Sequence, residues 1–104
     1  MRVLVHSTFS QTEGRTVLDL FTSAETPPRP TDAREVASFT YGDDQGVHVL
    51  FLFDVDNARL ADFIDAQTAR TTYMTARADV KIVVHVGYPV EDALAIATKH
   101  LPAE

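Results

Sequence analysis

Residues 47–55, VHVLFLFDV, decide the fold of this chain. The stretch is rich in β-branched and aromatic residues, which is typical of a strand. The sequence GDDQG precedes it at 42–46, and its glycines supply the positive φ that a tight turn requires. Since residues 35–41 on the other side of this turn also read as a strand, the sequence predicts an antiparallel hairpin of 35–41 and 47–55.

Two more strands and three helices are predicted around this hairpin. The β-branched runs at 2–9 and 80–88 predict the strands. Apolar residues at helical spacing predict the helices. They are Val17, Leu18, Leu20, Phe21 and Ala24 in the first helix, Leu60, Ala61, Phe63 and Ile64 in the second, and Val90, Ala93, Leu94, Ala97 and Leu101 in the third. Asp56 or Asn57 caps the second helix, and Pro89 starts the third.

The order β-α-β-β-α-β-α predicts a single α+β domain over residues 1–104. It is the ferredoxin-like βαββαβ arrangement with an additional C-terminal helix. In that arrangement a four-stranded antiparallel sheet has one face covered by the two crossover helices, and the other face is left open.

Composition narrows the function classes. Apolar residues make up 45% of the chain and charged residues 23%, as in ordinary globular domains. The absence of cysteine excludes disulfides, thiolate metal sites and cysteine nucleophiles. A net charge of -6 without a cluster of Lys and Arg argues against nucleic acid and membrane surfaces as partners. The short apolar run at the N-terminus does not match a secretory signal, so we expect a cytoplasmic protein.

Strand alternation assigns residues to two faces of the predicted sheet. The core face carries Val3, Val5, Ser7, Phe9, Val47, Val49, Phe51, Phe53, Val55, Val80, Ile82, Val84 and Val86. The open face carries Arg2, Leu4, His6, Thr8, His48, Leu50, Leu52, Asp54, Lys81, Val83 and His85, joined by Val36, Ser38 and Thr40 if the hairpin has no bulge. This face is too apolar to be fully exposed to water and too polar to form a core. The sequence therefore predicts a homodimer in which a second subunit buries it.

Two stretches resemble a known superfamily. They are FLFDVDN at 51–57, which leads into the second helix, and DVKIVV at 79–84, which leads to Gly87, Tyr88 and Pro89. They are similar to the dimeric α/β-barrel superfamily, in particular to small muconolactone-isomerase-type proteins and to uncharacterised stand-alone bacterial members. The resemblance covers nearly the whole chain by element order. It implies sheet-to-sheet dimers with a pocket between the sheet and its own helices or at the barrel centre, and it assigns no catalytic residue. Since members include isomerases, cofactor-free oxygenases, haem-binding proteins and proteins without known activity, the fold leaves the function open.

Three histidines share the predicted open face. An antiparallel register with the first strand in the middle sets Thr8 beside both His48 and Lys81, and it makes His6 a diagonal neighbour of His48 and of His85. The histidines have three interpretations: polar residues in a dimer interface, groups for ligand binding or proton transfer, or ligands of a metal or haem through His6 with His48 or His85. Metal is the minor alternative, because no His-x-x-x-His type of spacing occurs.

The predicted ligand pocket is formed by His6, Thr8, Ser38, Thr40, His48, Leu50, Lys81, Val83 and His85. Apolar walls with a few hydrogen-bonding groups are typical of a site for a small organic molecule. The first hypothesis is therefore a ligand-binding dimer that isomerises or oxidises its ligand without a bound cofactor, with His6 or His48 transferring the proton. No common cofactor-binding motif occurs. The alternative is a noncatalytic self-association or interaction module.

Three smaller predictions concern residues around this face. Asp43 and Asp44 are assigned to a solvated hairpin tip. Arg2 is placed where it could pair with Asp54. Tyr73 and Met74 interrupt the pattern of the second helix, which suggests a lid, a dimer rim or a frayed helix end.

Overall fold

The computed structural model describes residues 1–31 and 33–100. Within these ranges the chain forms four strands and three α-helices in the predicted order. They are β1 (Arg2–Phe9), α1 (Gly14–Thr22), β2 (Ala33–Asp43), β3 (Gly46–Val55), α2 (Leu60–Thr75), β4 (Val80–Gly87) and α3 (Val90–His100). A short 3-10 turn leads into α1 and another leads into α2.

The four described strands make one antiparallel sheet in the order β2-β3-β1-β4. β1 lies in the middle, so its residues have neighbours on both sides. Thr8 is opposite His48 on β3 and Lys81 on β4, and His6 is opposite Leu50 on β3. These pairs confirm the register predicted for β1.

A β-bulge between Glu35 and Ala37 shifts the pairing of β2 with β3 by one residue. Side chains alternate with a period of two, so one extra residue exchanges the two faces of the strand beyond it. Ser38 is therefore opposite Phe51 and Thr40 is opposite Val49, both on the core face. The prediction that Ser38 and Thr40 line the open-face pocket is wrong for this reason.

The core lies between the sheet and helices α1 and α2. One buried cluster joins Val3, Val5, Phe53 and Val55 of the sheet with Phe63 of α2, and a second joins Val17, Met74 and Val80. The predicted core face is thus confirmed at most strand positions. Val86 is an exception, since it is 45% exposed. It lies near the end of the edge strand β4, beyond Val84, which still packs against the core.

Helix α2 buries a line of four residues spaced by four, three and four positions. They are Phe63, Gln67, Arg70 and Met74. This spacing follows one face of a helix, and Met74 at its end is only 1% exposed. The prediction of a frayed end is wrong, because α2 continues through both residues. Met74 belongs to the core, so it forms neither a lid nor a rim, whereas a lid or rim at the half-buried Tyr73 stays a prediction.

Helix α3 stands apart from the rest of the described chain. None of its described residues is buried, and Val90 and Leu94 are 72% and 63% exposed. The radius of gyration is 16.1 Å, whereas a compact domain of this length has about 13 Å. The helix therefore does not cover the open face of its own sheet. Leu101, the last position of its predicted apolar stripe, lies outside the described residues.

Candidate functional site

The open face brings His6, His48 and Asp43 into one line of hydrogen bonds, called the triad below. His6 Nε2 lies 2.8 Å from His48 Nδ1. On the other side of the ring, His48 Nε2 lies 2.8 Å from Asp43 Oδ1. The three residues come from β1, β3 and the end of β2, so the sheet register assembles the triad.

A two-residue hairpin turn places Asp43 beside His48. β2 extends to Asp43, which pairs with Gly46, and only Asp44 and Gln45 form the turn. The backbone N–H of Gln45 donates to Asp43 Oδ1 at 2.8 Å, which holds the carboxylate in place. The interpretation of Asp43 as only a solvated turn residue is wrong. Strand alternation without a bulge would have put Asp43 on the core face together with Tyr41, so the sequence pattern did not locate it.

The hydrogen-bond network determines where the protons of the triad lie. An ionised carboxylate only accepts, so His48 carries its proton on Nε2 and donates it to Asp43. The pKa of Asp43 lies below its ordinary value, mainly because of this hydrogen bond from His48. Neutral His48 then accepts at Nδ1 from His6 Nε2–H. Among the residues that the structure describes, this leaves Nδ1 of neutral His6 as the free proton acceptor at the end of the triad.

Burial and neighbouring charges keep His6 neutral near pH 7. Its pKa is lowered first by desolvation and then by repulsion from His48, His85 and Lys81 in their protonated forms. His48 is only 3% exposed, and the ring of Tyr41 stacks on it with 4.5 Å between the centroids. A neutral imidazole that is held by a second imidazole is suited to accept a proton.

The hydroxyl of Thr8 adds a further polar contact to the triad. Its oxygen lies 3.4 Å from His6 Nε2 and 3.3 Å from His48 Nδ1, beside the short bond between the two rings. Thr8 therefore borders the bond through which the two imidazoles share a proton.

The structure places most of the predicted pocket residues around His6. Leu50 and Val83 flank it on the neighbouring strands, and Lys81 lies opposite Thr8. His85 is opposite Leu4 and affects His6 through its charge, without a hydrogen bond to it within the described residues. The predicted pocket residues therefore lie together around His6, except for Ser38 and Thr40, which are on the core face. His85 lies at the edge of this group.

Two aromatic residues that the sequence analysis did not place here border the triad. Because of the bulge, Phe39 and Tyr41 lie on the open face, opposite Leu50 and His48. Their rings stack with 5.9 Å between the centroids, and Phe39 is 59% exposed. They provide an apolar wall on one side of His48.

The predicted pairing of Arg2 with Asp54 is wrong. The two residues are opposite each other in the register, but Asp54 pairs with Arg34 at 3.4 Å. The Nη1 atom of Arg2 is buried and has no hydrogen-bond partner among the residues that the structure describes. Arg34 reaches Asp54 because β2 pairs directly with β3 at this position.

Three general observations complete the description of the site. In the described part of the chain, no group of three His, Cys, Asp or Glu residues is arranged to hold a metal ion. No helix within residues 1–31 and 33–100 has both the length and the apolar character to cross a bilayer. Comparison with protein-family models, with curated proteins and with solved structures finds no match for this chain.

Proposed function

We propose that this protein is a homodimer that binds a small organic molecule on the open sheet face and moves a proton on it through His6. The observation that carries the proposal is the triad of His6, His48 and Asp43. Two hydrogen bonds of 2.8 Å connect its three side chains. An arrangement of acid, imidazole and terminal base is suited to general base catalysis, because the carboxylate stabilises the positive charge that a proton brings.

The reaction class that fits this geometry is isomerisation by proton transfer. His6 Nδ1 takes a proton from one atom of the ligand, and His6 Nε2–H can pass its own proton to His48 Nδ1. The charge then lies next to Asp43. The proton returns to a different atom of the ligand, so no oxidant or reductant is consumed. Oxygenation of the same deprotonated ligand, the other activity implied by the resemblance, would require dioxygen as a second reactant.

The homodimer supplies the enclosure that such a site needs. A single subunit leaves Phe39 and Tyr41 exposed on the open face and Val90 and Leu94 exposed on α3. Monomeric proteins rarely expose large apolar patches. A second copy packed against the sheet, as in ferredoxin-like dimeric α/β barrels, would bury both surfaces and remove water from around His6, which strengthens the electrostatics of the triad.

Ligand binding and proton transfer test the function. Aromatic acids, lactones and quinols are screened by thermal shift, and exchange of carbon-bound hydrogen in each hit is followed by NMR in D2O. His6→Ala should slow the exchange at least about a hundredfold, the usual contribution of a general base. His100→Ala is the matched control, since it removes an exposed histidine at the end of α3, outside the triad and the pocket. Exchange that continues unchanged in His6→Ala would refute the proposal.

Light scattering during size-exclusion chromatography tests the dimer. We expect a mass of two chains at micromolar concentration, and we expect Phe39→Asp to give single chains. Since Phe39 is already 59% exposed, its replacement should not unfold the subunit. Leu18→Asp is the control, because Leu18 is 54% exposed on α1, on the opposite side of the sheet. A wild-type mass of one chain would contradict the dimer.

The large exposed apolar surface of α3 also favours a second candidate, a noncatalytic self-association module. In that case alanine at His6, His48 and His85 would change the dimer dissociation constant, and no member of the ligand library would bind. The same two experiments therefore separate the two functions.

A further inference from the structure

Basic side chains flank His6 on the open face, although the chain as a whole carries a net charge of -6. On β4, Lys81, Val83 and His85 alternate with core residues, so all three belong to the open face. His6 is opposite Val83, which makes Lys81 and His85 its two diagonal neighbours, with Cα atoms roughly 7–8 Å away. A ligand that contacts His6 is therefore within reach of the long side chain of Lys81.

The ammonium group of Lys81 is available to such a ligand. Among the residues that the structure describes, no carboxylate forms an ion pair with Lys81. The two acids of the open face have other partners, because Asp43 accepts from His48 and Asp54 pairs with Arg34. An ammonium group has three N–H donors and no acceptor, so its complement is an anion.

The charge of Lys81 acts at the proton acceptor of the triad. The pKa of His6 is lowered by burial first, and then by repulsion from protonated His48, His85 and Lys81. The charge of Asp43 opposes this shift with a smaller effect. Surroundings that disfavour a positive charge on His6 favour a negative charge on a molecule beside it. The diagonal register and the electrostatics therefore select the same kind of ligand.

We propose that the ligand of the open face is a small organic carboxylate, and that Lys81 binds its carboxylate group while His6 acts on a nearby C–H bond. This substrate class rests on the proton transfer proposed for His6. Leu50 and Val83, which flank His6, provide apolar contacts for the rest of the molecule. His6 Nδ1 takes the proton, the electron pair of the C–H bond stays on the ligand, and the proton returns to a different carbon atom. The ligand carries a second negative charge in between, which the ammonium group of Lys81 stabilises.

NMR titration of the full chain with cinnamate and with cinnamamide tests the role of Lys81. The two molecules have the same shape and differ in charge, and neither has an acidic C–H bond, so binding is measured apart from proton transfer. Cinnamate should bind at least about ten times more tightly than cinnamamide, the difference expected for a charge-assisted contact. Lys81→Gln should remove this preference and Lys81→Arg should keep it. Lys99→Gln, which removes an exposed lysine of α3, is the matched control and should keep it as well. Since Lys81 is exposed, these substitutions should not unfold the protein.

Absent or equal binding of the two molecules to the wild-type protein would overturn the carboxylate assignment. A preference for cinnamate that Lys81→Gln leaves unchanged, or tighter binding of inorganic phosphate than of cinnamate, would overturn it as well. The proton transfer is decided separately, by hydrogen exchange in His6→Ala. Exchange that depends on His6, without a preference for cinnamate, refutes only the substrate class. A preference that depends on Lys81, without such exchange, supports the carboxylate site and refutes only the proton transfer.

Discussion

At the scale of single residues, the side chains proposed to act on a ligand include a buried polar group, His48, whose hydrogen-bond partners are specific. His48 is more deeply buried than several of the apolar residues around it, at 3% exposed, and both of its ring nitrogens have hydrogen-bond partners. Buried polar groups are costly unless they are satisfied. The complete set of partners explains how His48 is tolerated within the sheet.

The tautomer of His48 is a direct prediction of this network. In the wild-type protein we expect the proton on Nε2, because Asp43 only accepts, and 15N NMR of the imidazole checks it. Asp43→Asn should give a mixture of tautomers, since the amide can donate or accept. The turn should survive, because the asparagine oxygen can still accept from Gln45 N–H. Asp44→Asn is the control. Wild-type His48 with its proton on Nδ1 would contradict the assignment.

At the scale of elements, the hairpin that carries Asp43 and His48 depends on Gly46. Its φ is +123°, and a Cβ atom there would overlap the carbonyl oxygen of Phe9 and lie 3.1 Å from its carbon. Gly46→Ala should therefore destabilise the protein by roughly 2–4 kcal/mol in urea unfolding, through backbone strain and this overlap. Gly42→Ala is the matched control in the same hairpin, since its Cβ would meet only an ordinary contact of 3.8 Å. Equal effects of the two substitutions would refute this explanation.

The apolar side of α3 is the second element with a testable role. Leu94 is 63% exposed, so the described subunit does not use it for its own core. Leu94→Glu should leave the unfolding of the monomer within about 0.5 kcal/mol but raise the dimer dissociation constant. Analytical ultracentrifugation measures the constant, and Lys99→Gln on the same helix serves as the control. If Leu94→Glu leaves the dissociation constant unchanged, α3 is not part of the interface.

At the scale of the whole molecule, the lowered pKa of His6 makes stability depend on pH. Between its folded pKa and the ordinary value of 6.5, the unfolded chain binds more protons than the folded one. Stability from this group is therefore fully present above pH 6.5 and is lost as the pH falls toward the folded pKa. Asp43, with its pKa below 3.8, adds a loss of the same sign at more acidic pH.

Thermal unfolding measured from pH 8 to pH 5 checks the contribution of His6. The midpoint of the wild-type protein should fall as the pH decreases below about 6.5. His6→Gln should flatten this dependence, because glutamine does not titrate, and His100→Gln, at the exposed end of α3, should not. If the unfolding midpoint of His6→Gln falls with decreasing pH as steeply as that of the wild-type protein, groups other than His6 cause the pH dependence.

The strand register that brings His6 and His48 together could be predicted from the sequence. The predicted register put Thr8 beside His48, and it made His6 the diagonal neighbour of His48. Those positions follow from alternation in β1 and β3, two strands without a bulge between them and with one strongly apolar face. The C-terminal half of α2 could not be read in the same way, because the polar residues Gln67 and Arg70 occupy its buried line and hide the apolar period.

The sequence by itself determined the order of the elements and the residues that β1, β3 and most of β4 turn toward the core, because a period of two and a period of 3.6 are visible in the residue pattern. Only the tertiary structure decided which face the end of β2 presents, since the bulge after Glu35 is a local backbone event that leaves no period in the sequence. It also decided that Asp43 reaches His48 and that Arg70 is buried against the carbonyl groups of Pro27 and Phe21. Such partners depend on distances between side chains of different strands and helices, which separation along the chain does not encode.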